Sequence, residues 1–64
     1  MPVPMTHGFI EVGTIVRHRL EPDWGLGQVQ SIVGARITVN FENKGKVVLQ
    51  GEVTQLEFVA KDHL

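Results

Sequence analysis

The chain predicts a small all-β domain of four to five short antiparallel strands curled into a barrel. Three observations carry that reading. The run Arg36-Ile37-Thr38-Val39-Asn40-Phe41-Glu42 alternates strictly between apolar and polar side chains, which is the period of a half-buried strand. The apolar runs are separated by tight-turn chemistry at Pro22-Asp23, Gly34-Ala35, Asn43-Lys44-Gly45 and Gly51. Finally, 64 residues with 42% hydrophobic side chains make one core and no more, and a single short sheet buries one face only by curling on itself, which also hides its edges.

The elements follow in order. Residues 1–8 hold Pro2 and Pro4 and no apolar period, so they read as a loose arm. Residues 9–59 are the barrel, and 60–64 a tail. Thr14-Ile15-Val16 are all β-branched and open the first strand, which runs to Arg19. Ile15, Arg17 and Arg19 take one face, and Thr14, Val16 and His18 the other. Leu20-Glu21-Pro22-Asp23 is a turn in which Pro22 fixes its own φ and holds Glu21 extended. Gly25 and Gly27 mark a bulge or a close backbone approach at the start of the second strand, which continues through Val33.

Gly34-Ala35 fits a two-residue hairpin loop, with a turn centred on Val33-Gly34 as the alternative. Asn43-Lys44-Gly45 fits a type I turn closed by a left-handed glycine, and Lys46 to Gln50 is the next strand, broken by Gly51. Thr54-Gln55-Leu56-Glu57 has the form of a helix capping box, yet too little chain follows for a helix. A short final strand is the preferred reading, with Leu56 and Phe58 inward and a single helical turn before it as the alternative. The expected core is Phe9, Val16, Val29, Ile32, Ile37, Val39, Phe41, Val47, Leu49 and Leu56. Ile32 has the opposite parity to Val29, so one of the two needs the glycine bulge or a strand bend to reach the core. The architecture that results is a small SH3-like barrel.

Composition narrows function. A formal net charge of -1 excludes the strongly basic signature of a protein that coats nucleic acid. The chain has no cysteine, which excludes disulfides, thiolate catalysis and cysteine-based zinc sites. His7, His18 and His63 lack metal-ligand spacing, so neither metal nor cofactor is expected. Gly25-Leu26-Gly27 begins like a dinucleotide fingerprint, but Gln30 stands at the third glycine position. Glu21 and Asp23 near His18 suggest acid–base work, but carboxylates flanking a proline turn are ordinary turn chemistry. The expectation is therefore no enzyme. No apolar run approaches the roughly 18 residues of a membrane helix. The N-terminus lacks the charged and apolar regions of a secretory leader, so a cytoplasmic location is expected and the likeness of Lys61-Asp62-His63-Leu64 to a retention signal is read as chance.

Charge distribution is more informative. Residues 13–46 carry five basic groups (Arg17, Arg19, Arg36, Lys44, Lys46) against three acidic ones, whereas the flanks carry four acids and Lys61. Arg17, Arg19 and Arg36 form a candidate patch for phosphates or an acidic protein surface, and a dispersed solvated face is the plainer alternative. Trp24 is the single tryptophan and sits beside the proline turn. Two roles stay open for it, part of the core or its half-buried rim, or an exposed anchor of the kind enriched at binding hot spots. His18 is expected to brace the Leu20–Trp24 loop by hydrogen bonding, with Pro22, Gly25 and Gly27 shaping it.

The order Val16-Arg17-His18, Pro22-Asp23-Trp24-Gly25-Leu26-Gly27-Gln28-Val29, Ile37-Thr38-Val39-Asn40-Phe41, Gly45-Lys46 resembles a family of very short bacterial proteins classed as a domain of unknown function, over about residues 9–58. More distantly it is similar to the Tudor-like barrel at the C-terminus of UvrD/PcrA-type repair helicases and to the RNA-polymerase-interacting barrels of CarD and the transcription-repair coupling factor. Val16, His18, Trp24, Gly25, Gly27 and Val29 match the opening motif of those barrels, and Arg19 stands where they usually have proline. The resemblance implies a Tudor-like barrel that docks on RNA polymerase. The expected function is a non-enzymatic module that binds a protein of the transcription or DNA-repair machinery through Trp24, Arg17, Arg19 and Arg36. The alternative is weak, largely sequence-independent nucleic-acid binding through the mildly basic face, with Lys44 and Lys46 added. Strand register decides whether the basic residues form one patch, and the sequence assigns no oligomeric state.

Overall fold

A computed structural model describes residues 10–51 and 55–61. The expected arm at 1–8, the core position Phe9, the capping-box residue Thr54 and most of the tail lie outside the described residues. Five strands form one antiparallel sheet: β1 (Ile15–His18), β2 (Leu26–Val33), β3 (Arg36–Phe41), β4 (Gly45–Gln50) and β5 (Leu56–Ala60). Their order in the sheet is β4-β3-β2-β1-β5, so β1 to β4 form a meander and β5 returns to the free side of β1. A 3-10 turn (Pro22–Trp24) joins β1 to β2. Among the described residues no ladder joins β4 to β5. The closure that would hide both edges is thus not made by backbone hydrogen bonds. Gly51, at φ +65°, turns the chain out of β4, and β5 is laid on β1 instead.

The hairpins settle the open turn assignments. Val33 pairs with Arg36, so the β2–β3 loop is Gly34-Ala35, with Gly34 at φ +59° supplying the backbone that a two-residue loop demands. Phe41 pairs with Gly45, which begins β4 one residue earlier than the apolar run suggests, at φ +86°. Residues 56–60 are strand rather than helix.

The core comprises Ile10, Val16, Val29, Ile37, Val39, Phe41, Leu49 and Leu56, with Trp24 and Val47 packed against it. Ile10 was not anticipated, because one apolar residue before the Glu11–Thr14 turn carries no period. That turn is closed by the Thr14 N–H on the Glu11 carbonyl (2.9 Å) and the Glu11 N–H on Thr14 Oγ1 (2.9 Å).

Ile32 is a correction. The β2–β3 register steps from Val29↔Val39 to Ser31↔Thr38, so the bulge falls at Gln30 rather than at Gly25 or Gly27. The extra residue does return Ile32 to the core face, opposite Ile37, but beside the hairpin loop, where it stays 37% exposed. Phe58 is a second correction. It sits across from Val16 on the core side, yet on an outer strand, and it remains 45% exposed.

Candidate functional site

Trp24 is held on both sides by main-chain chemistry. Pro22 opens the 3-10 turn, the Trp24 N–H donates to the Glu21 carbonyl (3.0 Å), and the Gly25 N–H donates to the Pro22 carbonyl (3.2 Å). Gly25 has φ +79°, a left-handed value that an L side chain adopts only with strain. It is crowded as well, since a Cβ there would lie 2.7 Å from Glu42 Oε1. The crowding arises because the β3–β4 loop is clamped onto this turn. The Asn43 N–H donates to the Trp24 carbonyl (3.0 Å) and Asn43 Nδ2 to the Asp23 carbonyl (3.0 Å). The Leu26 N–H donates to Glu42 Oε1 (2.9 Å), and the Glu42 N–H to the Leu26 carbonyl (2.8 Å).

The indole itself is half-buried: its body packs against the core and part of it meets solvent. Its centroid is 4.7 Å from the His18 ring, tilted by 59°, and 5.1 Å from the Phe41 ring, edge to face. Each such pair adds roughly 0.5–1.5 kcal/mol beyond area burial. Lys44 Nζ lies 5.6 Å from the indole centroid, within cation–π range. His18 is 5% exposed, and its Nδ1 accepts the Leu20 N–H (3.2 Å). This bond ties the ring to the first residue of the Leu20–Trp24 loop. Gly27 is the close approach foreseen in the sequence. It faces Phe41, and a Cβ on it would lie 2.6 Å from both Phe41 Cδ1 and Val39 Cγ1.

Arg17 and Arg36 do not flank Trp24. Arg17 projects from the other face of β1, opposite to Val16 and His18, and its Nη1 is 3.7 Å from Glu57 Oε1 across the β1–β5 ladder. Arg36 begins β3, five residues and roughly 17 Å along the strand from Phe41. Arg19 is exposed just past β1, with its N–H on the Gln55 carbonyl (2.8 Å). Lys46 lies across from Asn40 on the outer face. Lys44, from the β3–β4 loop, places a cation over the indole. The role of Glu42 and Asn43 was missed as well. Their identity as turn residues was legible, but nothing in a sequence says which distant loop a turn will touch.

The Arg17–Glu57 pair is about half exposed at both ends, and such pairs contribute little. Arg17→Gln is expected to change unfolding free energy by less than about 1 kcal/mol in a urea titration. A larger loss would mean that Arg17 also holds the β1–β5 ladder by packing.

Among the described residues no three His, Asp or Glu side chains gather in a metal-binding group. On the outer face Ile15, Leu26, Gln28 and Asn40 line an open depression of about 540 Å³. The geometry therefore describes a small antiparallel β domain carrying a rigidly mounted, half-exposed aromatic group. A family model described as a protein of unknown function, DUF3553, matches residues 10–59, and the chain belongs to that family. No curated protein and no solved structure matches the chain.

Proposed function

We propose that this domain is a non-enzymatic interaction module with the curvature of an SH3-like, Tudor-like barrel, and that it binds a protein through Trp24. One observation carries the reading: a half-exposed indole whose backbone and ring are both immobilised. An anchor ordered before binding loses little conformational entropy on docking, which is what makes buried aromatic residues effective at interfaces. Lys44 and Arg19 at the same end of the sheet favour a partner surface with acidic groups around an apolar pocket. The likeness of the Val16 to Val29 segment to the barrels of repair helicases, CarD and the coupling factor supports RNA polymerase, or a repair factor, as that partner. In this reading His18, Gly25 and Gly27 build the loop and do not touch the partner.

The test is titration of purified RNA polymerase into the protein, followed by the fluorescence of its single tryptophan. Binding should shift the emission, and Trp24→Ala, followed with an extrinsic label, should weaken affinity by about 30-fold, as expected for a 2 kcal/mol hot spot. A folded Trp24→Ala that binds as well as wild type removes the anchor. A second reading, weak nucleic-acid binding, is favoured by the Lys44 ammonium beside an indole on which a base could stack. It predicts an affinity that falls steeply with salt, whereas the protein contact depends on salt far less.

A further inference from the structure

We infer that β4 is a self-association edge, on which a second copy of this chain adds its own β4 antiparallel about a two-fold axis through Val48. The argument starts from the hydrogen-bonding phase. The two-residue Gly34-Ala35 loop makes Val33 and Arg36 the closing hydrogen-bonded pair of the β2–β3 hairpin. Bonding directions alternate along a strand, so Ile37, Val39 and Phe41 turn their main-chain groups toward β4. The Glu42 N–H on Leu26 and the Gly51 N–H on Ala35 keep the same phase. Gly45, Val47 and Leu49 therefore bond to β3, and the N–H and C=O groups of Lys46, Val48 and Gln50 point away from the sheet.

Among the described residues β4 pairs with β3 alone. It lacks most devices that protect an edge. Six residues pair without a bulge, there is no proline, and no charged residue points inward. Val48 is 54% exposed.

The outward groups fix the register of a self-pair. Aligning all three against their copies sets Val48 against Val48 and Lys46 against Gln50 of the second copy, with six main-chain hydrogen bonds. On the core side Val47 then meets Leu49. Lys46 is the single charge on the strand, and this register sets it opposite a neutral amide rather than its own copy, so no like-charge pair opposes association. Because each copy offers the same patch, the contact closes as a symmetric dimer and does not propagate.

The chain has no cysteine, so introduced thiols report this contact against no background. Hydrogen-bonded antiparallel pairs have Cα atoms about 5.5 Å apart, within disulfide reach. Under mild oxidation Val48→Cys should link to itself rapidly. Lys46→Cys and Gln50→Cys should each link poorly alone and well when mixed. Sedimentation equilibrium of the unmodified chain should show a monomer–dimer equilibrium that Val48→Lys abolishes, while its tryptophan emission, and its thermal transition at concentrations where the wild type is monomeric, stay as in wild type. A chain that stays monomeric up to millimolar concentration overturns the inference. So does a dimer indifferent to Val48→Lys, or equal linking rates for the three cysteine variants.

Discussion

Phe41→Ala should leave the domain largely unfolded at room temperature. Phe41 is 2% exposed and is the largest of the fully buried side chains. Truncating a buried phenylalanine costs about 3–5 kcal/mol, partly in lost transfer energy and partly in the cavity left behind. A domain of this size has roughly 3–10 kcal/mol in total. The loss has a second component here, because the Phe41 ring also supports the edges of Trp24 and His18. Urea unfolding followed by tryptophan emission and by far-ultraviolet circular dichroism would measure both. Phe41→Leu separates them. It should keep the sheet while the emission moves to the red, since the leucine fills the core but offers no ring to the indole. A Phe41→Ala protein that melts cooperatively within 1 kcal/mol of wild type would show that the core does not centre on this side chain.

Gly27→Ala is expected to cost about 3 kcal/mol, at the upper end for overpacking a core. The added methyl would meet Phe41 and Val39 at 2.6 Å, and neither can retreat, because both are fully buried between strands. For a domain of this length the melting temperature should fall by roughly 15 °C or more. The same substitution at Gly34 is the control. A Cβ there meets nothing within 4 Å, so it carries only the left-handed backbone cost of about 1–2 kcal/mol. Combining Gly27→Ala with Val39→Ala should cost less than the sum of the two, since the second change makes room for the first. Strict additivity would mean that the methyl is accommodated elsewhere.

These two residues also show what the sequence could and could not reveal. The alternation around Phe41 placed β3 and its buried face directly, because a period of two is a local property. Gly27 could be marked as a bulge or a close approach, since glycine in a strand has few other uses. Its neighbours could not be named, because they depend on register. The Gln30 bulge was equally invisible. It uses an ordinary polar residue, and only the clash in parity between Val29 and Ile32 hinted at it. The site suffered most from this limit. Trp24, His18 and the glycines of the loop stood out through turn chemistry and motif, which are local. The basic patch was assembled from composition, and the fold disperses it: Arg17 to the outer face against Glu57, Arg36 to the far end of β3. Lys44 reaches the indole only because the β3–β4 loop is bonded to the 3-10 turn, a contact between segments about 20 residues apart.

The return of β5 to β1 bears on the order of folding events. The β2–β3 and β3–β4 hairpins close over a few residues each, whereas the pairing of His18 with Leu56 must bridge about 40 residues of chain. The meander can therefore nucleate locally, and the β1–β5 ladder zips last. Leu56, 7% exposed and facing the core, then makes its contacts after the rate-limiting barrier. Leu56→Ala should accelerate unfolding while leaving the refolding rate nearly unchanged, and Val39→Ala should slow refolding, a contrast that stopped-flow chevrons would read directly. On a ribosome the same order means that β1 waits with one side uncovered until β5 has emerged.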